Sequence, residues 1–181
     1  GKRRTAEIML SLLRQACDRA SDSGIFAVNP CKWIELPSKT QKIERRPFGA
    51  PELVAIMAAP YDAREECFVM LLYGCGLRRE EALGLRICDI DLEKCNISVR
   101  QTVVFPDNSA VIRPCGKTDL SLRMVPLPES LVQRIRPWYN ERTKACKCNT
   151  ELLFPGFSKS VYVRFWRKIS EKIGIPGITA Y

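Results

Sequence analysis

The chain has 181 residues, 46% of them hydrophobic and 27% charged, with 29 Lys and Arg against 20 Asp and Glu. That composition supports a buried core and excludes an intrinsically disordered chain, and no apolar run approaches the roughly 18 residues of a membrane span. Nine cysteines, an odd number with no C-x-x-C pair, and the absence of histidine argue for reduced thiols and against a structural metal; the closest pair is Cys146 and Cys148. A soluble, cytoplasmic protein is expected. The net charge of +9 suits a polyanionic partner, nucleic acid or membrane surface alike. The excess sits at the ends: residues 1–46 hold ten basic and five acidic side chains, 47–140 eleven and twelve, and 141–181 eight and three. Any single Lys or Arg among them also has the plainer reading of a solvated helix face.

From Thr5 to about Ser21, Ile8, Leu12, Leu13, Ala16 and Ala20 recur at helical spacing, and Ser21-Asp22-Ser23-Gly24 stops the helix. Asn29-Pro30 marks a turn. Residues 1–37 are too few to enclose a core and read as the tail of a helical domain, followed by a polar, basic connector at 38–47 and a second domain over 48–181. There a helix opens at Pro51-Glu52 with Leu53, Ile56 and Met57 inward, and another from Ala63 to Tyr73 ends in the apolar run Phe68–Leu72. After Gly74-Cys75-Gly76 a short helix begins near Arg78 and runs to Gly84.

Beyond Asp89-Ile90-Asp91 the apolar period changes to two. Ile97, Val99, Val103 and Val104 read as one strand, Val111 and Ile112 as a second, and Leu122, Met124 and Val125 as a third, with Pro106-Asp107-Asn108 and Gly116–Asp119 as turns. Pro128-Glu129 opens a helix with Leu131, Ile135 and Trp138; Ser158 or Ser160 caps another with Val161, Phe165, Trp166 and Ile169. Trp138, Phe165 and Trp166 fall at core-like positions. The fold class is α+β, mostly helical, with a small three-stranded antiparallel sheet.

Two local patterns stand out. The first is Gly76-Leu77-Arg78-Arg79-Glu80-Glu81-Ala82-Leu83-Gly84-Leu85-Arg86, followed by Asp89-Ile90-Asp91; the second is Lys117-Thr118-Asp119-Leu120-Ser121-Leu122-Arg123-Met124-Val125-Pro126-Leu127-Pro128. In this order and at this separation they resemble the phage integrase (tyrosine recombinase) family, whose corresponding patterns are G-L-R-x-x-E with D-I-D, and K-T-x-x-S-x-R-x-V-P-L-P in a β-hairpin. The resemblance implies a DNA-clasping domain ending near residue 37, then a catalytic domain that acts on double-stranded DNA with sibling protomers, without metal or nucleotide cofactor. It implies site-specific recombination or integration by a bacterial, phage or mobile-element enzyme through a 3′-phosphotyrosine.

On the same resemblance Arg78 is the first catalytic arginine, Glu81 its supporting acid and Lys117 the catalytic lysine. Arg79, Ser121 and Arg123, with Lys39, Arg45 and Arg46 of the connector, are candidate DNA contacts. The roles suit the chemistry. Without a metal, charge that builds on the phosphate oxygens during strand cleavage must be met by fixed donors, and the planar fork of arginine grips two oxygens at once. A lysine amid positive charge can give a proton to the leaving 5′ oxygen. Taken alone, Arg78 and Glu81 also make an ordinary surface ion pair, worth about 0–1 kcal/mol. The family's second box, H-x-L-R, and its nucleophilic tyrosine are expected beyond Tyr181, and Tyr61, Tyr73, Tyr139 and Tyr162 do not match the nucleophile position. Strand cleavage by these 181 residues alone is therefore not expected, and a non-catalytic DNA-binding or assembly module on the same scaffold is the alternative.

Overall fold

In the computed structural model residues 2–36, 47–114, 122–175 and 178 are described, and the chain divides into two compact units, 1–47 and 48–181. In the first unit, helix α1 (Lys2–Asp22) ends where Gly24 takes a φ of 75° and the chain reverses. Its apolar stripe is present but faces outward: Ile8, Leu12 and Leu13 are each more than half exposed. Polar bonds hold the segment that follows against the helix. Arg14 donates to the carbonyls of Cys31 (3.1 Å) and Ile34 (2.6 Å), and the buried Asn29 donates to Arg14 O (3.0 Å) and Asp18 Oδ1 (2.6 Å).

The second unit contains α2 (Ala50–Ala58), α3 (Ala63–Val69), a π-helical turn (Met70–Gly74) and α4 (Arg79–Gly84). Strands β1 (Ile90–Asp91), β2 (Asn96–Val99), β3 (Gln101–Val104), β4 (Val111–Pro114) and β5 (Arg123–Pro126) follow, then α5 (Glu129–Ala145) and α6 (Lys159–Ile173). In α2 only the C-terminal end reaches the core. Ile56 is buried and Met57 packs against it, whereas Leu53, expected inward, lies one turn nearer the rim and is exposed.

Helix α3 opens on a reciprocal cap, Asp62 Oδ1 accepting from the Glu65 amide (2.9 Å) and Glu65 Oε2 from the Asp62 amide (3.0 Å). The apolar run Phe68–Leu72 is buried, with Phe68 edge-on to Phe154 and Phe165 at 5.3 and 5.4 Å. The expected helix to Tyr73 does not finish as an α-helix. The Cys75 amide donates to Met70 O (3.1 Å), one residue further back than in an α-turn, and Gly74 closes against α5, where a Cβ would stand 2.3 Å from Leu131 Cδ1. Trp138, Phe165 and Trp166 pack against the core, and Ser158 caps α6 by accepting from the Val161 amide (3.3 Å).

The strands are arranged differently from the expected single sheet. Residues 96–104 form two strands, not one: among the described residues β2 joins β1 and β5 in a three-stranded antiparallel sheet, and β3 pairs with β4 in a separate ribbon. Ile97, Val99 and Val103 are all buried, so the inward positions stay in phase past Arg100 while the hydrogen-bond partner changes there. The tip of the ribbon is tied to α6, with Asn108 accepting from the amides of Lys159 (3.1 Å, through its carbonyl) and Ser160 (3.0 Å, through its side chain).

Candidate active site

Gly76 takes a φ of 67°, turning the chain out of the π-helical segment, and Leu77 is buried behind it. Arg78 therefore arrives at the N-cap of α4, with extended backbone (φ −69°, ψ 151°), just before the first turn rather than in it. Its amide donates to Glu81 Oε2 (2.8 Å) and its Nη1 to Glu81 Oε1 (3.0 Å). The Glu81 side chain is only 5% exposed, that of Arg78 73%. An acid at the third helical position thus caps the helix and anchors an outward guanidinium at once.

A second cation reaches the same carboxylate from β5. Arg123 forks onto Glu81, Nη1 to Oε1 and Nη2 to Oε2, both at 2.8 Å. The strand's facing explains how. Arg123 lies opposite Val99 and Val125 opposite Ile97, so these two turn inward while Leu122 and Met124, the apolar markers of the strand, are exposed. Burial alone drives the Glu81 carboxyl upward, but the hydrogen bonds from Arg123 and Arg78 outweigh it and hold it below the usual carboxylate range.

Arg79 points elsewhere. It pairs with Glu80 and lies over the Tyr162 ring, 5.1 Å from its centroid. Of the other expected site residues, Lys117, Ser121, Lys39, Arg45 and Arg46 lie outside the described residues. The Asp89-Ile90-Asp91 part of the first pattern serves the fold: buried Asp89 accepts from Arg86 Nε (2.9 Å) and Nη2 (2.8 Å), and Asp91 accepts from the amides of Glu93 (3.1 Å) and Lys94 (2.9 Å). The link from Glu81 to Arg123 spans 42 positions; its trace in the sequence is an arginine alternating with Val125 on the inward side of a strand.

Burial pushes Tyr162 up to about 12 despite Arg79 beside it, and Tyr61, whose hydroxyl donates to Ile56 O (2.7 Å), also up to about 12. Tyr139 is raised by burial too. Among the described residues no group of three or more His, Cys, Asp or Glu is placed to hold a metal ion, and no helix is long and apolar enough to cross a membrane.

Residues 46–179 match the phage integrase family. A tyrosine recombinase XerC-like protein of Caldanaerobacter subterraneus subsp. tengcongensis is 28% identical over 200 residues, covering 96% of this chain and 51% of that protein. Tyrosine recombinase XerC of Proteus mirabilis is 27% identical over 139 residues, covering 75% and 40%. Among solved structures, the Tn1549 transposon integrase in complex with a circular intermediate DNA superposes with a TM-score of 0.67 at 20% identity, over 98% of this chain and 62% of that one. XerA recombinase superposes with a TM-score of 0.59 at 24% identity, over 80% and 48%. The α+β architecture is thus that of integrase and recombinase catalytic domains. This chain belongs to the phage integrase family, the tyrosine-type site-specific recombinases, and spans about half the length of the curated relatives it matches.

Proposed function

We propose that this chain is the part of a site-specific DNA recombinase that grips the scissile phosphate, and that it binds double-stranded DNA without cleaving it alone. Residues 1–37 close the DNA-clasping domain, 38–47 connect, and 48–181 begin the catalytic domain. Arg78 neutralises charge on the phosphate oxygens, Glu81 holds it, and Lys117 gives the proton to the leaving 5′ oxygen. Ser121 and the basic residues Lys39, Arg45 and Arg46 contact the DNA backbone, and sibling protomers complete the assembly on two duplexes. The observation that carries this reading is the exposed Arg78 guanidinium anchored on a buried carboxylate. A surface ion pair has no need of a carboxylate 5% exposed and held by two arginines.

Tyr61, Tyr73, Tyr139 and Tyr162 do not match the family's nucleophile position, which supports a non-cleaving role for these 181 residues. The test is duplex-DNA affinity as a function of salt. Affinity is expected to fall steeply with salt, and Arg78→Ala to weaken it and lower the slope by about 1. An Arg78→Ala protein that binds like the parent rules out the phosphate role. A covalent protein–DNA adduct formed by the purified chain on a nicked duplex rules out the non-cleaving role.

A further inference from the structure

Glu81 is saturated. A carboxylate offers about four acceptor positions, and here Arg78 fills two, through its amide and Nη1, while the Arg123 fork fills two more. The two cations differ in what they present to solvent: the Arg78 side chain is 73% exposed, Arg123 34%. Two guanidinium groups on one carboxylate also leave a net positive charge, and it surfaces at Arg78. From these observations we infer that Arg123 is a positioning residue, which fixes the Glu81 carboxylate from β5 and through it aims Arg78 at the phosphate. This rests on the reading of Arg78 given above and replaces the expectation that Arg123 serves as a DNA contact.

The fork is what the role requires. Two parallel N–H···O bonds fix both the place and the plane of the carboxylate, and that plane decides which edge of Arg78 remains turned outward. A lysine at 123 keeps the charge but makes a single point contact, so the carboxylate can rotate. Strand β5 is a firm base for this, being laddered to β2 from Val99 opposite Arg123 to Asn96 opposite Pro126. It also follows directly on the segment carrying Lys117 and Ser121, so one carboxylate ties the helix of the first pattern to the strand of the second.

The experiment is a double-mutant cycle on the 181-residue chain, with affinity for a short duplex of arbitrary sequence as the readout and a thermal melt for each protein. Arg123→Lys leaves the net charge unchanged, so long-range attraction to DNA is constant along that edge of the cycle. With Arg78 present, Arg123→Lys is expected to weaken binding roughly three- to tenfold; in the Arg78→Ala background it is expected to do nothing further. Equal losses in both backgrounds overturn the inference, in favour of a direct DNA contact if the melts are unchanged and of a purely structural role if they fall together. No loss with Arg78 present overturns it as well. If Arg78→Ala itself binds like the parent, the phosphate reading of Arg78 fails and takes the inference with it. Arg123→Gln, which keeps a donor toward Glu81, runs the same cycle should the lysine protein not fold.

Discussion

Two buried acids of the second unit, Glu65 and Glu81, each meet two cations, and their surroundings set them different tasks. Glu65 sits in the first turn of α3 and pairs with Lys168 (2.8 Å) and Lys172 of α6, so it ties two helices together. Burial alone pushes its carboxyl up; hydrogen bonds from Lys168, Lys172 and the Asp62 amide outweigh that and bring it from 4.5 down to about 2. A carboxyl depressed in the folded state adds stability that is fully present above its unfolded value and is lost as the pH falls from about 4.5 toward 2. Glu65→Gln is therefore expected to destabilise the chain at neutral pH by roughly 1–3 kcal/mol. The gap to the parent in thermal melts should close between about pH 4.5 and pH 2; a constant gap across that range contradicts the assignment.

At the scale of elements, the short helix α4 owes its position to close contact with β3. A Cβ on Gly84 would stand 2.6 Å from Gln101 O and 2.8 Å from Thr102 Cα, both backbone atoms, and Gln101 Nε2 donates back to Gly84 O (2.8 Å). Gly84→Ala must separate helix from strand. It is expected to destabilise the fold by about 1–3 kcal/mol in urea unfolding. DNA affinity should fall as well, because Arg78 caps α4 and Glu81 lies in it; unchanged stability would show that the contact is looser than the geometry implies. The helix itself was legible in the sequence, from the glycine turn before it and the acid at its third position. Its packing partner was not: nothing in the run Ile97–Val104 shows that its second half leaves the sheet of the first.

Across the whole molecule, the buried apolar cluster is drawn from residues 56–178, inside the second unit, whereas the first unit is held by Arg14 and Asn29. Among the described residues no part of α1 belongs to that buried cluster, and a single helix of 21 residues is marginal in water. Amide hydrogens of Leu12–Ala16 are accordingly expected to exchange roughly 100-fold faster, or more, than those of Phe68–Leu72, which open only with global unfolding. Comparable protection in both would mean that the first unit draws stability from elsewhere. Duplex DNA bound to the chain should slow exchange in the first unit, where basic side chains outnumber acidic ones.

What the amino-acid sequence determined by itself is local: the helix starts at Pro51 and at Ser158 or Ser160, the buried run Phe68–Leu72, the glycine turn ahead of Arg78, and the i,i+3 partnership of Arg78 with Glu81. Each depends on residues within a turn or two of one another, where period, capping and turn chemistry act directly. Only the tertiary structure decided which strands pair, that Leu122 and Met124 face out while Arg123 faces in, and that Arg123 closes on Glu81 from 42 positions away. An alternating strand has two faces, and its own residues do not say which one meets a charge buried on another element. Here a carboxylate under α4 turned the arginine inward, since a buried charge is stable only when its partners reach it.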